Sequence, residues 1–558
     1  MAGRNMRRIR KTHFLLLALS FGGGAFAREA SAVVTFGGTG NETDAAPGNV
    51  GMYEGLFNGG YSATPITSNM IVTAAHLFPG PTTTFVYNNG TATATTYNVQ
   101  AVASLDDLAI WEISPNQPGT FTLTAPIYTG SSELGSTIVD VGQGYARGDP
   151  ITGGWSWNGN NGGLSWGTNT VSAVPTSTQL GLSGSMGGDF LQYDFDNEDP
   201  SSPNYNPDEA VVTPGDSGGG AFIDVNGQYE LAGVNSSYGV RVGANGLLES
   251  VTDSTGSNLI TGSLYDSYGY YYNSLNGTVQ QITTHTPDSS FATRVSSKQN
   301  FVGVTDGTAS TASSPINDDG LFTAYTNMTT GAITGTGSIQ IGGSGTTADL
   351  QIAPNSGTSE VTGLTINPNS TLDLTNNRLI IDGGTNPWTE KWLLSCLASG
   401  CDGGLWNGPG IDSSVAAANP EEEGVGFADA NDAYVKGLTK GQVEIAYTRE
   451  GDINMDGVVN GTDFAILATN YSKSTTLGWE AGDFNYDGKV NAADFLLLAY
   501  NLNDTTANPD WAAVASFAAA NGIALNGTDV PEPSALGLLL IGSVAVFVRP
   551  RRQKPVYI

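Results

Sequence analysis

The sequence predicts a mainly β protein: a long barrel-forming region, a second β-rich module and a small helical unit near the C-terminus. Three observations carry this. Between residues 33 and 305, short β-branched apolar segments such as "MIVTAA", "LAIWEI", "STIVDVG" and "GAFIDV" alternate with Gly, Asn, Pro and Ser clusters, without sustained 3.6-residue periodicity. Residues 306–390 are rich in Thr, Gly and Asn, with strand-length runs at steady spacing. Residues 448–503 hold two near-copies, "GDINMDGVVNGTDF" and "GDFNYDGKVNAADF", each leading into an apolar run of helix length.

Taken in order, residues 1–27 read as a signal peptide. Arg7, Arg8, Arg10 and Lys11 precede "FLLLALSFGGGAFA", and Ala25-Phe26-Ala27 has the small-x-small cleavage pattern. The length of 33–305 suits one large or two small barrels. The module 306–390 is expected as a solenoid-like or sandwich spacer, and 391–447 as a mixed segment, partly helical around "WTEKWLLSCLASG". The helical unit 448–503 is followed by a linker, 504–529, with one short helix in "NPDWAAVASFAAANGIAL". Residues 530–553 close the chain with Pro531-Glu532-Pro533, an apolar run over 535–548 and a basic cluster. A membrane span needs about 20 apolar residues, so this run is marginal as a permanent anchor. The segment resembles the PEP-CTERM sorting tails of exported bacterial proteins. The resemblance implies recognition by a sorting transpeptidase-type machinery and handover to the cell surface or matrix; a plain membrane anchor is the alternative.

The formal charge is −31. Loss of the nine basic residues of the two terminal segments leaves 12 basic against 52 acidic, a charge of −40. Such a surface excludes nucleic acid as a partner, since phosphate binding needs basic patches, and favours Ca²⁺. Cys396 and Cys401 are the only cysteines, too few for a disulfide framework.

"TPGDSGGGAF", residues 213–222, raises the question of a nucleophile at Ser217. A serine hydroxyl needs a base, usually His. Beyond the signal segment only His76, in "MIVTAAHLF", and His285, in the polar "ITTHTPD", remain. Thirty-one residues after His76 the acidic pair of "SLDDLAIWEI" enters an apolar strand, where a carboxylate could orient an imidazole. Either Asp alone reads equally as a solvated strand cap.

Together the segments Thr73-Ala74-Ala75-His76, Asp107-Leu108-Ala109-Ile110 and Gly215-Asp216-Ser217-Gly218-Gly219 resemble the trypsin-like (chymotrypsin-fold) serine proteases, in the family's order. "VGQGY", "LAGVNSSYG" and "FATRVSSKQNFV" extend the resemblance over most of 33–305. It implies a double β-barrel, Ser217 as nucleophile, His76 as general base and acid, Asp107 as its orienter, and an oxyanion hole of the Gly215 and Ser217 N–H groups. Asp106 falls outside the motif, so Asp106→Asn is expected to be mild. Leu77 stands where the family often has Cys. Asp216 needs a cationic partner, in zymogen-type members a new N-terminal amine. Only "AVVTFGG" lies where that amine would be, and Arg147 is a substitute candidate.

In the duplicated loops, Asp452, Asn454, Asp456, Asn460 and Asp463 occupy positions 1, 3, 5, 9 and 12 of a calcium loop, with Val458 offering a carbonyl at position 7. Asp483, Asn485, Asp487, Asn491 and Asp494 repeat the set, with Lys489 at position 7. The pair resembles dockerin domains, which implies Ca²⁺ and a cohesin-like partner. The residues at positions 10 and 11, through which dockerins chiefly bind, are Gly461-Thr462 and Ala492-Ala493, and they differ between repeats. An internal Ca²⁺-stiffened module is the alternative. Two functions follow: a secreted or surface-associated serine endopeptidase acting on protein or peptide substrates, or a catalytically inactive protease-fold binding protein of the cell surface.

Overall fold

Short strands rich in Val, Ile and aromatic residues wind 55–294 into two closed six-stranded antiparallel barrels. The computed structural model describes residues 33–36, 46–88, 93–196, 206–242, 247–306, 314–502 and 509–525, apart from 162, 183, 254, 257, 274–278, 344, 384–386 and 432–433. The signal segment and the C-terminal sorting segment lie outside the described residues. Among the described residues no helix is long and apolar enough to cross a membrane.

The first barrel comprises β1 (Gly55–Phe57), β2 (Tyr61–Pro65), β3 (Met70–Ala74), β4 (Thr82–Tyr87), β5 (Thr95–Leu105) and β6 (Leu108–Ile113). Its order is β5-β4-β1-β2-β3-β6, closed by pairing of β6 with β5. The second comprises β7 (Thr137–Gly142), β8 (Ser165–Ala173), β9 (Phe190–Asp194), β10 (Gly220–Val225), β11 (Gln228–Val242) and β12 (Asp288–Arg294). It runs β10-β7-β8-β9-β12-β11 and closes from β11 to β10. Phe57, Phe85, Trp111, Val141, Phe222 and Val234 belong to one buried cluster, so the barrels share apolar contacts across their seam.

Residues 316–382 form a parallel β-solenoid with three faces. One face stacks Ile316–Asn317, Ile333–Thr334, Thr358–Val361 and Arg378–Asp382. The second stacks β13 (Leu321–Ala324), Ser338–Ile341 and Gly363–Ile366, and the third Met328–Thr330, Asp349–Ile352, Thr371–Asp373 and Gly410–Asp412. Alternate residues turn inward: Phe322 and Ala324, Ile339 and Ile341, and Leu350 and Ile352 are buried. This is not a detached spacer. β13 pairs antiparallel with β5, so the first barrel and the solenoid share one nine-stranded sheet.

The far end is closed by β14 (Glu423–Asp429) and β15 (Gln442–Arg449), antiparallel extensions of the first face, and by helix α1 (Pro387–Cys401). Helices α2 (Gly461–Asn470) and α3 (Ala492–Asn501) follow the two Asp/Asn loops. Asn460 and Asn491 cap them, with Asp463 and Asp494 bonding back as reciprocal caps. A third helix, α4 (Pro509–Asn521), belongs to the same core: Phe517 packs on Phe464, Tyr471 and Phe495. The unit is anchored to the solenoid end by Tyr486 Oη donating to Val425 O (2.8 Å) and Asn501 Nδ2 to Glu421 O (2.8 Å). Cys396 and Cys401 are free thiols, and burial pushes the Cys396 thiol up to about 11.

Candidate functional site

His76 sits in a single helical turn, Ala75–Leu77, that ends β3. Asp107 opens β6 and is fully buried. The imidazole Nδ1 lies 2.9 and 3.0 Å from the two Asp107 oxygens, and the His76 backbone N–H donates to Oδ1 at 2.9 Å. A carboxylate only accepts, so the proton sits on Nδ1 and Nε2 is left as a base. Burial lowers the His76 pKa, but the charge and hydrogen bond of Asp107 outweigh it, and the imidazole titrates above its ordinary 6.5.

Ser217 lies on the turn before β10, in the other barrel. Its carbonyl accepts from the Ser62 N–H at 3.2 Å. Gly218, at φ +86°, packs so tightly that a Cβ would lie 2.1 Å from Ser62 O and 2.2 Å from Thr73 Oγ1. Only glycine closes that seam. Thr73 is three residues before His76, so the turn is pressed against the strand that presents the imidazole.

β11 ties the two halves from behind. Asn235 accepts the Gly218 N–H through its carbonyl (2.8 Å) and donates its own N–H to Gly219 O (2.8 Å). The next residue, Ser236, donates its hydroxyl to Asp107 Oδ2 at 2.5 Å. The Asn235 side chain bonds Asp140 (2.6 Å), and Tyr193 Oη bonds both Asp140 and Asn235 (3.0 Å each). Sequence reasoning singled out "LAGVNSSYG" as a strand without assigning Ser236 or Asn235. Two polar residues at the centre of an apolar strand were the available signal.

The turn's own amides alternate. Those of Asp216, Gly218 and Gly219 donate to Thr213 O, Asn235 O and Asp216 O. Among the described residues, the N–H groups of Gly215 and Ser217 have no internal acceptor, and no hydrogen bond joins the Ser217 hydroxyl to His76. Gly215 has φ +101°. Two unpaired amides beside a serine can receive an oxyanion.

Asp216 is fully buried below the turn and held by neutral donors: Gly144 N–H (2.7 Å), Thr213 N–H (2.7 Å) and Oγ1 (2.8 Å), and Val33 N–H (3.4 Å). Burial raises its pKa to about 6. Arg147, the substitute partner expected from sequence, is engaged elsewhere: it donates to the carbonyls of Thr35 and Phe36 and lies 3.6 Å over the Trp155 ring. His285 is exposed, bonded to Asp266 and stacked on Tyr268.

Asp106 is not a solvated strand cap. It forms an ion pair with Lys298, both side chains buried, and its N–H donates to Leu321 O at 2.9 Å. Asp106→Asn strands the Lys298 ammonium in the interior and is expected to cost about 3–5 kcal/mol of stability, read by denaturant unfolding. An unchanged midpoint would mean that the pair contributes nothing.

In the duplicated loops the carboxylates accept backbone N–H groups: Asp463 Oδ1 from Ile453 and Asn454, Asp494 Oδ1 from Phe484, and Asp452 and Asp483 from Gly457 and Gly488. Among the described residues no three acidic, His or Cys side chains converge as a metal cluster. The donor set of each loop, carboxylates, amide oxygens and one carbonyl, nevertheless suits a hard cation that prefers oxygen. Burial, reinforced by neighbouring carboxylates, raises Asp463 and Asp483 to about 6 and Asp494 to about 8.

Two six-stranded barrels with a His–Asp pair and a serine turn at their seam define a scaffold compatible with the protease fold. Comparison with known families places one segment: residues 450–503 match the dockerin type I domain. No curated protein matches the chain. Dockerin domains generally bind calcium and typically engage cohesins, and they are typical of extracellular or cell-surface proteins.

Proposed function

We propose that the chain is an exported serine endopeptidase that hydrolyses peptide bonds through Ser217, His76 and Asp107, with a calcium-binding dockerin-like unit for attachment or assembly. One observation carries the reading: a serine turn whose Gly215 and Ser217 amides alone lack internal acceptors packs against the strand that leads to an imidazole fixed by a buried carboxylate. In this mechanism Ser217 Oγ attacks the scissile carbonyl carbon and gives its proton to His76 Nε2. The Gly215 and Ser217 N–H groups hold the oxyanion, and Asp107 stabilises the imidazolium. His76 then protonates the leaving amine, and water repeats the sequence on the acyl-enzyme. Residues Asp452, Asn454, Asp456, Val458, Asn460 and Asp463, and their counterparts Asp483, Asn485, Asp487, Lys489, Asn491 and Asp494, would hold Ca²⁺, which would fix the loops when bound.

The test is covalent labelling by a fluorophosphonate, with Ser217→Ala as control. Absence of labelling in the folded wild-type chain favours the binding-protein reading. The rising limb of kcat/KM against pH is expected above 6.5, because the base must be neutral and Asp107 raises its pKa.

The position of Val33 supports a specific maturation step. Its N–H already points at Asp216 Oδ1, so cleavage before Val33 would place an α-ammonium there. In the uncleaved chain Asp216 has a raised pKa, and stability falls as pH rises from its ordinary 3.8 through about 6. The ammonium removes that loss. The cleaved protein is therefore expected to melt higher than the uncleaved one at pH 7, with the gap closing towards pH 4. Equal melting of both forms at pH 7 would reject the pairing.

A further inference from the structure

The geometry points to positioning of the His76–Asp107 pair from outside the barrel strands: Tyr325, in the first coil of the solenoid, and Lys298, in the turn before helix 299–306, are positioning residues that set it. The inference rests on the proposed peptidase function for its consequence on turnover, and on contacts alone for its geometry.

Two contacts reach the two members of the pair separately. On the Asp107 side, β13 continues the sheet of β5, matching Phe322 to Leu105, Thr323 to Ser104 and Ala324 to Ala103. The next step of that ladder is Asp106 N–H to Leu321 O, one residue before Asp107. Asp106 has φ +54°, a left-handed conformation that a non-glycine residue adopts only when its surroundings enforce it. The enforcement is visible. Lys298 pairs with its carboxylate, Leu321 takes its amide, and Gly320 packs so closely that a Cβ there would lie 2.4 Å from Asp106 Oδ1. The charged groups facing this point are Lys298 from the turn before helix 299–306, and Asp318 and Asp319 from the solenoid.

On the His76 side, the Tyr325 ring stacks on Phe78 with centroids 4.7 Å apart and planes 12° apart. Phe78 is two residues after His76, and its N–H closes the His76 turn onto Ala75 O (3.2 Å). Tyr325 is itself held by its N–H to Val102 O at 2.9 Å. One five-residue stretch, 321–325, therefore fixes the backbone on both sides of the imidazole–carboxylate bond. A barrel pair cut off at 305 would retain the motif residues and lose both restraints.

The experiment uses the full chain carrying Tyr325→Ala, with Tyr325→Phe as the conservative variant, which keeps the stacking ring. Lys298→Met is the second probe and reports the other side. Beyond the signal segment the chain has only two histidines, His76 and His285, so imidazole NMR titration resolves His76 without any substrate. Tyr325→Ala is expected to lower kcat about 10- to 10²-fold with KM nearly unchanged, as small misplacements of reacting groups do. The His76 titration midpoint should fall, because a looser His76 turn holds the imidazolium less closely on Asp107. Tyr325→Phe should restore both. A folded Tyr325→Ala chain with unchanged kcat and unchanged His76 titration overturns the inference, as does failure of Tyr325→Phe to rescue. If the wild type neither labels nor hydrolyses, the peptidase reading falls, and the NMR midpoint still decides whether Tyr325 positions the pair.

Discussion

Ser217→Ala and His76→Ala are each expected to lower peptidase turnover by about 10⁴–10⁶ while leaving the barrels folded. The folded state should tolerate both changes. The Ser217 hydroxyl makes no internal hydrogen bond among the described residues, and its loss leaves no buried group without a partner. Removing the imidazole leaves Asp107 still bonded to the residue-76 N–H and the Ser236 hydroxyl. Asp107→Asn should also be severe, by about 10⁴, because an amide opposite Nδ1 favours the wrong tautomer. Turnover of a casein or peptide substrate, alongside circular dichroism of each variant, separates chemistry from folding. A folded Ser217→Ala enzyme that retains full activity would remove Ser217 from the mechanism.

The second large effect is expected from calcium. Without a cation, Asp463, Asp483 and Asp494 resist ionisation, with pKa values of about 6, 6 and 8. Folded-state values above the ordinary 3.8 mean that stability falls as pH rises through that window. A divalent cation reverses the penalty. Two loops, each filled at a hundredfold its Kd, contribute about 5 kcal/mol. Calcium is therefore expected to raise the melting temperature of the C-terminal unit strongly at pH 7.5 and much less at pH 4. Mutating Asp456 and Asp487 to Ala should remove the response. Because Tyr486 and Asn501 bond to 421–425, amide exchange in β14 and β15 should quicken when the metal is withdrawn. Peptidase activity should change far less. Equal melting in EDTA and in calcium would leave the loops without a metal role.

Local patterns in the sequence were enough for much of this. The β-branched runs between Gly and Asn clusters correspond to barrel strands, because inward alternation leaves a trace in every strand. The duplicated loops were legible because two identical spacings of Asp and Asn exclude coincidence. His76 and Asp107 were legible as neighbours only through the resemblance of their segments to the trypsin-like motif, because the apolar flanks left either Asp as a strand cap. The attachment of 306–390 was not legible, since Thr323 pairs with Ser104 across 219 residues and no local signal specifies that register. The buried ion pair of Asp106 was not legible for the same reason: its partner, Lys298, lies 192 residues away. The integration of the helical unit also escaped notice, because Tyr486 and Asn501 look like ordinary loop and helix residues until β14 is placed beside them.

The shared sheet between β5 and β13 imposes an order of events on a chain made from its N-terminus. The barrel strands, His76, Asp107 and Ser217 all emerge by residue 294, but β13 follows only at 321–324. Until then Asp106 lacks the Leu321 acceptor for its amide, and Phe78 packs on Trp111 without the stacked ring of Tyr325. A nascent polypeptide would thus hold the His76–Asp107 pair in a slack form, and tighten it only when the solenoid begins to wind onto β5. The restraint on the His76–Asp107 pair would then be timed by the chain's own synthesis.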